Sequence, residues 1–199
     1  MSRSRAEMIE ATRAKLLATA RQAFRQAGYA ATSMDDFTAA AGLTRGALYH
    51  HFGDKKGLLA AVVEQIDGEM DERLRAVSLR APDAWTAFRD RCRAYLEMAV
   101  EPEIRRIVLQ DARAVLAPAP AAAQQCIASL SALLQRLMDE RVVEAADPLA
   151  LARLINGSLV ESAFWIAEEG DEGPRLAHAL QALDLLLRGL LRGSGDTAA

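Results

Sequence analysis

Apolar residues recur every three or four positions along most of this chain, the period of helices that each bury one stripe. The first stripe is Ile9, Leu16, Leu17, Ala20 and Phe24, with Arg13, Lys15, Arg21 and Arg25 opposite; it predicts a helix over 7–27, ended by Gly28. Two short helices follow. Ser33 with Asp36 three residues on reads as a capping box, Phe37, Ala40 and Ala41 form a small buried face, and Gly42 reads as a left-handed stop. Leu43 then packs, Thr44 caps, and the next helix, 45–52, turns Leu48 and Phe52 inward. Asp54 caps a fourth helix over 55–79, whose apolar side is Leu58, Leu59, Val62, Val63, Ile66, Met70 and Leu74, with Gly68 a weak point midway. The basic lead-in at 2–10, with Arg3 and Arg5, is expected to fray, an arm reaching DNA being the alternative.

The same period continues to the C-terminus. Pro82, at a first helical position, opens a helix with Trp85, Phe88, Cys92, Tyr95 and Leu96 that ends near Pro102. Another covers 103–116 on Ile104, Ile107, Val108 and Val115, and Ala117-Pro118-Ala119-Pro120 breaks the pattern because prolines cannot continue a helix. Helices over 121–144, 148–169 (opened by Asp147-Pro148) and 174–191 complete the set, with a turn at 170–174 and a disordered tail over 193–199. The expected fold is all-α, with about nine helices and no internal repeat.

The last two helices carry more apolar surface than one core seam needs. Leu159 and Ile166 on one, and Leu176, Leu180, Leu183, Leu187 and Leu190 on the other, are expected to bury a second face against another copy of the chain.

Two short helices joined by a glycine turn are the pattern of a helix-turn-helix, here about 33–52, whose second helix enters the DNA major groove. Arg45 is the one long donor at the start of that helix, able to reach guanine O6 and N7 together. Thr44 and the free amides beside it suit a phosphate. Gly46 and Ala47 add no bulk, while Tyr49, His50 and His51 stand a turn further on. Lys55 adds a charge at a helix N-terminus. Structural alternatives stay open: Thr44 as a cap alone, Tyr49 packed under the first helix, and His51 as a contact to the fourth. Two adjacent histidines lie about 100° apart on a helix and do not chelate one ion, so no metal is expected.

Three segments resemble the tetracycline-repressor-like (TetR) family of transcriptional regulators: Ala27 to Ser33, Ala41 to Phe52, and Asp54 to Leu59. The resemblance implies DNA contacts for the residues at Ser33, Thr44, Arg45, Tyr49, His50 and Lys55. It also implies dimers formed by the last two helices, and a small-molecule effector that releases the DNA. Under that reading 1–60 is the DNA-binding domain and 61–199 a ligand-binding and dimerisation domain. The partners are then double-stranded palindromic DNA, an unnamed effector and a second copy. A helical small-molecule-binding or adaptor protein with a vestigial head is the alternative.

Charge supports the motif. The 199 residues are 51% hydrophobic and 26% charged with a formal net charge of −3, but residues 1–60 hold nine Lys/Arg against five Asp/Glu, and the rest fifteen against twenty-two. A basic head on an acidic body is what phosphate attraction at one end needs. Cys92 and Cys126 have no metal-ligand spacing and read as small packed thiols. No leader is legible and no uninterrupted apolar run nears about 18 residues, so a cytoplasmic protein without a membrane anchor is expected. No Gly-rich phosphate loop, nucleophile elbow or His/Cys/Asp cluster is present, so neither catalysis nor a cofactor is expected. Polar and aromatic residues on the body helices, Trp85, Arg89, Met98, Asp111, Asn156, Glu161 and Trp165, are the candidates for an effector pocket.

Overall fold

Ser4, Ser33, Thr44, Asp54, Asp83 and Asp147 each accept a backbone N–H of the first turn that follows them, so six helices start where a short polar side chain can close the turn. The computed structural model describes residues 4–116, 120–168 and 170–192. The expectations placed on Arg3, on the break at 117–119, on Glu169 and on the 193–199 tail lie outside the described residues. The elements are α1 (Arg5–Ala31), α2 (Met34–Ala41), α3 (Arg45–Phe52), α4 (Lys55–Arg80), α5 (Ala84–Met98), α6, α7 (Pro120–Asp139), α8 (Pro148–Ala167) and α9 (Glu172–Arg188). In α6, Ile104–Ala112 is wound as a π-helix and Arg113–Val115 as an α-helix. The described residues are 83% helical, as the periodicity requires.

Packing divides the chain into two compact units: Met1–Gly68 with Pro102–Pro118, and Glu69–Glu101 with Ala119–Ala199. The seam therefore falls at Gly68 rather than at residue 60, and α6 belongs with the head. The reason is apolar: Leu58, Leu59, Val62, Val63 and Ile66 are buried in the first unit, and α6 lays Ile104, Ile107, Leu109 and Ala112 inward and packs on α1.

In the first unit Phe24 meets Phe37 edge-to-face at 5.2 Å, amid Leu16, Leu17, Ala20, Ala41 and Leu48. Three expectations fail here. Ser4 and Glu7 form a capping box, so helix begins at Arg5 instead of fraying, and Ile9 lies exposed on those added turns. Ala40 is exposed too; Thr38 takes the inward place, returning its hydroxyl to the Asp35 carbonyl at 3.0 Å. Gly28 does interrupt α1, at φ 78° and ψ 168°, after which one further turn runs to Ala31.

Asp67 is half-buried on α4, and burial pushes its carboxyl up to about 6 from an ordinary 3.8. Between those values the folded chain holds a proton that the unfolded chain releases. The resulting stability is full below 3.8 and lost as pH rises through 6. Asp67→Asn, which cannot ionise, should therefore raise stability by about 2 kcal/mol at pH 8. The gain should shrink toward pH 4 in denaturant titrations; a gain independent of pH would contradict the assignment.

In the second unit α7 and α8 make the most extensive pairing, and α5 packs on α7, α8 and α9. Its core is Phe88, Cys92, Leu96, Leu130, Leu134, Leu137, Ala152, Ala163 and neighbours. Burial pushes the Cys92 thiol up to about 12, which leaves it an inert packing group. Arg91, also buried, is paired to Asp71 at 2.9 Å. Pro82 precedes the cap rather than opening the helix: Asp83 accepts the Thr86 N–H at 2.7 Å. α7 ends at Asp139, short of 144; Arg141 turns the chain at φ 57°, and Val143 bridges to Leu191 beyond α9. α8 has the length and mean hydropathy, 1.2, of a spanning helix, yet it carries Arg153, Asn156 and Glu161 and packs against three neighbours.

Candidate nucleic-acid interface

The α2–turn–α3 segment is fixed by local chemistry. The Ser33 hydroxyl accepts the Asp36 N–H at 3.1 Å and donates to the Asp36 carboxylate at 2.7 Å, which holds that carboxyl below its usual range. Gly42 is left-handed at φ 60°, and the Leu43 N–H returns to the Thr38 carbonyl at 2.9 Å. The Thr44 hydroxyl accepts the Ala47 N–H at 3.2 Å. The two hydroxyls expected to contact DNA, those of Ser33 and Thr44, therefore also act as caps. Gly57 matters at the next turn: a Cβ there would sit 2.1 Å from the Phe52 carbonyl oxygen, so only glycine lets α4 start so close behind α3.

What α3 leaves open is its sequence-predicted reading face. Arg45, Gly46, Tyr49 and His50 are exposed, Ala47 and His51 half-buried, and Leu48 fully buried. Phe52 is only half-buried, beneath the Arg13 guanidinium at 5.6 Å from its ring centre. Tyr49 is not packed under α1; 47% of it is accessible. The His50 and His51 rings lie edge-to-face, 5.5 Å apart. Arg45 is met through its inner nitrogen, Nε, by Asp35 Oδ1 at 3.1 Å. The pair is exposed and adds little stability, but it restricts where the guanidinium fork can point.

Lys55 is placed by a residue absent from the predicted set. Its Nζ lies 4.3 Å over the Tyr29 ring, which also leans on Phe24. Burial and the Asp54 charge both raise the Tyr29 hydroxyl above its ordinary range. The Tyr29 N–H, freed by the break at Gly28, donates to Asp111 Oδ2 at 2.8 Å. Arg106 completes the clamp, with Nε 3.5 Å from Asp111 and Nη2 donating to the Ala27 carbonyl. Asp111, expected in an effector pocket, thus belongs to the head. Neither Asp35 nor Tyr29 could be found from periodicity, because each acts across a turn or a glycine break.

The remaining pocket candidates do not converge. Trp85 and Arg89 line a cleft of about 500 Å³ within the second unit, together with Arg93, Asp184, Leu187, Arg188 and Leu191. Met98 is buried in the core and Asn156 half-buried. Glu161 and Trp165 are exposed, and Arg175 covers the Trp165 ring from 6.0 Å while donating to the Trp165 and Glu168 carbonyls.

Residues 16–62 match the domain described as "Bacterial regulatory proteins, tetR family", and residues 85–190 the one described as "Tetracyclin repressor-like, C-terminal domain". The chain belongs to the TetR family. Its fold superposes with a TM-score of 0.90 on a TetR-family transcriptional regulator of Pectobacterium atrosepticum, 65% identical, over 96% of this chain and 99% of that one. The Transposon Tn10 TetC protein of Escherichia coli is 27% identical over 76% of this chain and 78% of its own. The HTH-type transcriptional regulator AcrR of Shigella flexneri is 32% identical over 55% and 52% respectively. This TetR-family chain is a DNA-binding transcriptional regulator, a role that is not enzymatic in its relatives.

Of the residues expected at a dimer interface, Leu159, Ile166, Leu183 and Leu187 are buried in the chain's own core, whereas Leu176, Leu180 and Leu190 are half-buried and keep an open side. The α9 stripe faces the chain's own bundle, where α5 and α8 pack on that helix. The apolar side chains left exposed on α8 and α9 are Leu149, Leu154 at 70%, Trp165, Leu185 at 73% and Leu186 at 63%.

Proposed function

We propose that the regulator works as a homodimer that reads a palindromic operator with two copies of α3 and releases it when a small molecule binds the body. The observation that carries this is the open face of α3: a small-residue step at Gly46 and Ala47 beside an arginine already oriented by Asp35. With Nε held, the terminal nitrogens of Arg45 are left for O6 and N7 of one guanine. Tyr49, His50 and His51 flank it, toward base edges or phosphates. Lys55, over the Tyr29 ring, meets a backbone phosphate, as do Ser33, Thr44 and the amides of their helix starts. One head reads only a few base pairs, so a second copy is required, and Leu154, Trp165, Leu185 and Leu186 supply its docking face. Dimerisation and ligand response are typical of the family. α4 is the continuous element through which a change in the body reaches the head.

Arg45→Ala should cost about 1–3 kcal/mol at one base position, flattening the preference there. Lys55→Ala should weaken binding to every sequence and lower the slope of affinity against salt. Titrations of operator and scrambled duplex at several salt concentrations check both. An Arg45→Ala protein that keeps its preference, or an unchanged slope for Lys55→Ala, refutes the assigned contact.

A further inference from the structure

The cleft at Trp85 has a composition unlike the core around it. Its walls are apolar at Trp85, Leu187 and Leu191, and its charged lining is three guanidinium groups against one carboxylate. That carboxylate is already committed. Asp184 Oδ2 accepts from Arg93 Nη1 at 2.6 Å, while Oδ1 is closed to solvent with no donor among the described residues. Asp184 therefore neutralises Arg93 and offers the cleft no open acceptor. Arg89 is paired at 2.7 Å to its neighbour Asp90, which does not line the cleft. Arg188, in the last turn of α9, has no acidic partner among the described residues. A half-open cleft of about 500 Å³ with an indole wall and surplus guanidinium donors suits an organic anion with a flat apolar body.

We infer that this cleft, between the start of α5 and the end of α9, binds an aromatic or otherwise apolar monocarboxylate, with Arg188 as its main charge partner and Trp85 as its wall. The inference rests on the proposed effector response only for its consequence on DNA; binding itself stands apart from that reading. The carboxylate takes two N–H donors from a planar guanidinium, and the apolar body leaves water for the Trp85 and Leu191 surfaces.

The chain has two tryptophans, Trp85 and Trp165, so Trp165→Phe makes Trp85 the sole reporter of the cleft. With that variant, 4-iodobenzoate, a heavy-atom quencher bearing one carboxylate, should quench Trp85 emission saturably. The neutral 4-iodobenzyl alcohol should bind at least about tenfold more weakly. Adding Arg188→Gln should weaken 4-iodobenzoate by about tenfold with an unchanged melting temperature, since Arg188 holds no ion pair among the described residues. In the reciprocal Trp85→Phe variant, Trp165 should show only linear, collisional quenching. Non-saturable quenching of Trp85, equal affinity for the alcohol, or indifference to Arg188→Gln overturns the site. Saturable binding accompanied by release of operator at the same concentrations supports the cleft as the effector site. Saturable, Arg188-dependent binding with operator affinity unchanged supports the anion site and overturns its part in release.

Discussion

Glutamate at Leu185 and Leu186 together should leave the chain folded and split the proposed dimer, whereas glutamate at the adjacent Leu187 should unfold the body. The difference is one step of about 100° around α9. Leu185 and Leu186 are 73% and 63% accessible, while Leu187 is 2% accessible among the core of α5, α8 and α9. A carboxylate at 187 would lose the leucine's burial and force a charge into a packed core, a cost of about 4 kcal/mol or more. At 185 and 186 the charges stay hydrated in the monomer and repel only when a second copy approaches. Because two linked heads gain about 10²-fold or more over one, the double variant should lose operator affinity by that order while melting near the wild-type temperature. Sedimentation, thermal melting and operator titration on both proteins separate the outcomes. A double variant that still sediments as a dimer moves the interface off this face, and a Leu187→Glu protein of normal stability contradicts the packing of α9.

Alanine at Gly28 should destabilise the head by about 1–3 kcal/mol and reduce DNA binding with it. At φ 78° and ψ 168° the residue occupies a backbone region open essentially to glycine alone. A Cβ there would also meet Arg106 Nη2 at 1.8 Å, so the guanidinium would have to leave the Ala27 carbonyl and Asp111. That dismantles the clamp behind Tyr29 and, through its ring, the seat of Lys55. The steric and conformational parts are separable. Arg106→Ala in the Gly28→Ala background should recover only the clash, leaving most of the loss, as measured by denaturant unfolding. Full recovery would show that backbone strain contributes nothing.

The head was legible in the sequence because its decisive interactions span three or four residues. Ser33 with Asp36, Thr44 with the Ala47 amide, and the glycine stop at 42 are local capping chemistry, and local chemistry is written in local spacing. What escaped is what distance hides. Asp35 reaches Arg45 across the turn, and Asp111 reaches the Tyr29 amide from 82 residues away, so its place in the head could not be told from the apolar stripe of α6. The π winding of α6 leaves no mark on periodicity that an α-helix would not. The burial of Leu183 and Leu187 was hidden for a related reason: spacing alone cannot say which apolar arc of α9 the chain keeps for itself.

Selection of full-length protein against a pool of random duplexes, at about 0.15 M salt and with stoichiometry measured on the winners, tests most directly whether α3 reads DNA in pairs. The account predicts enrichment of an inverted repeat, with two chains bound per site and half-sites set by successive turns of the groove. Enrichment of no sequence, or of an asymmetric site filled by a single chain, would contradict it.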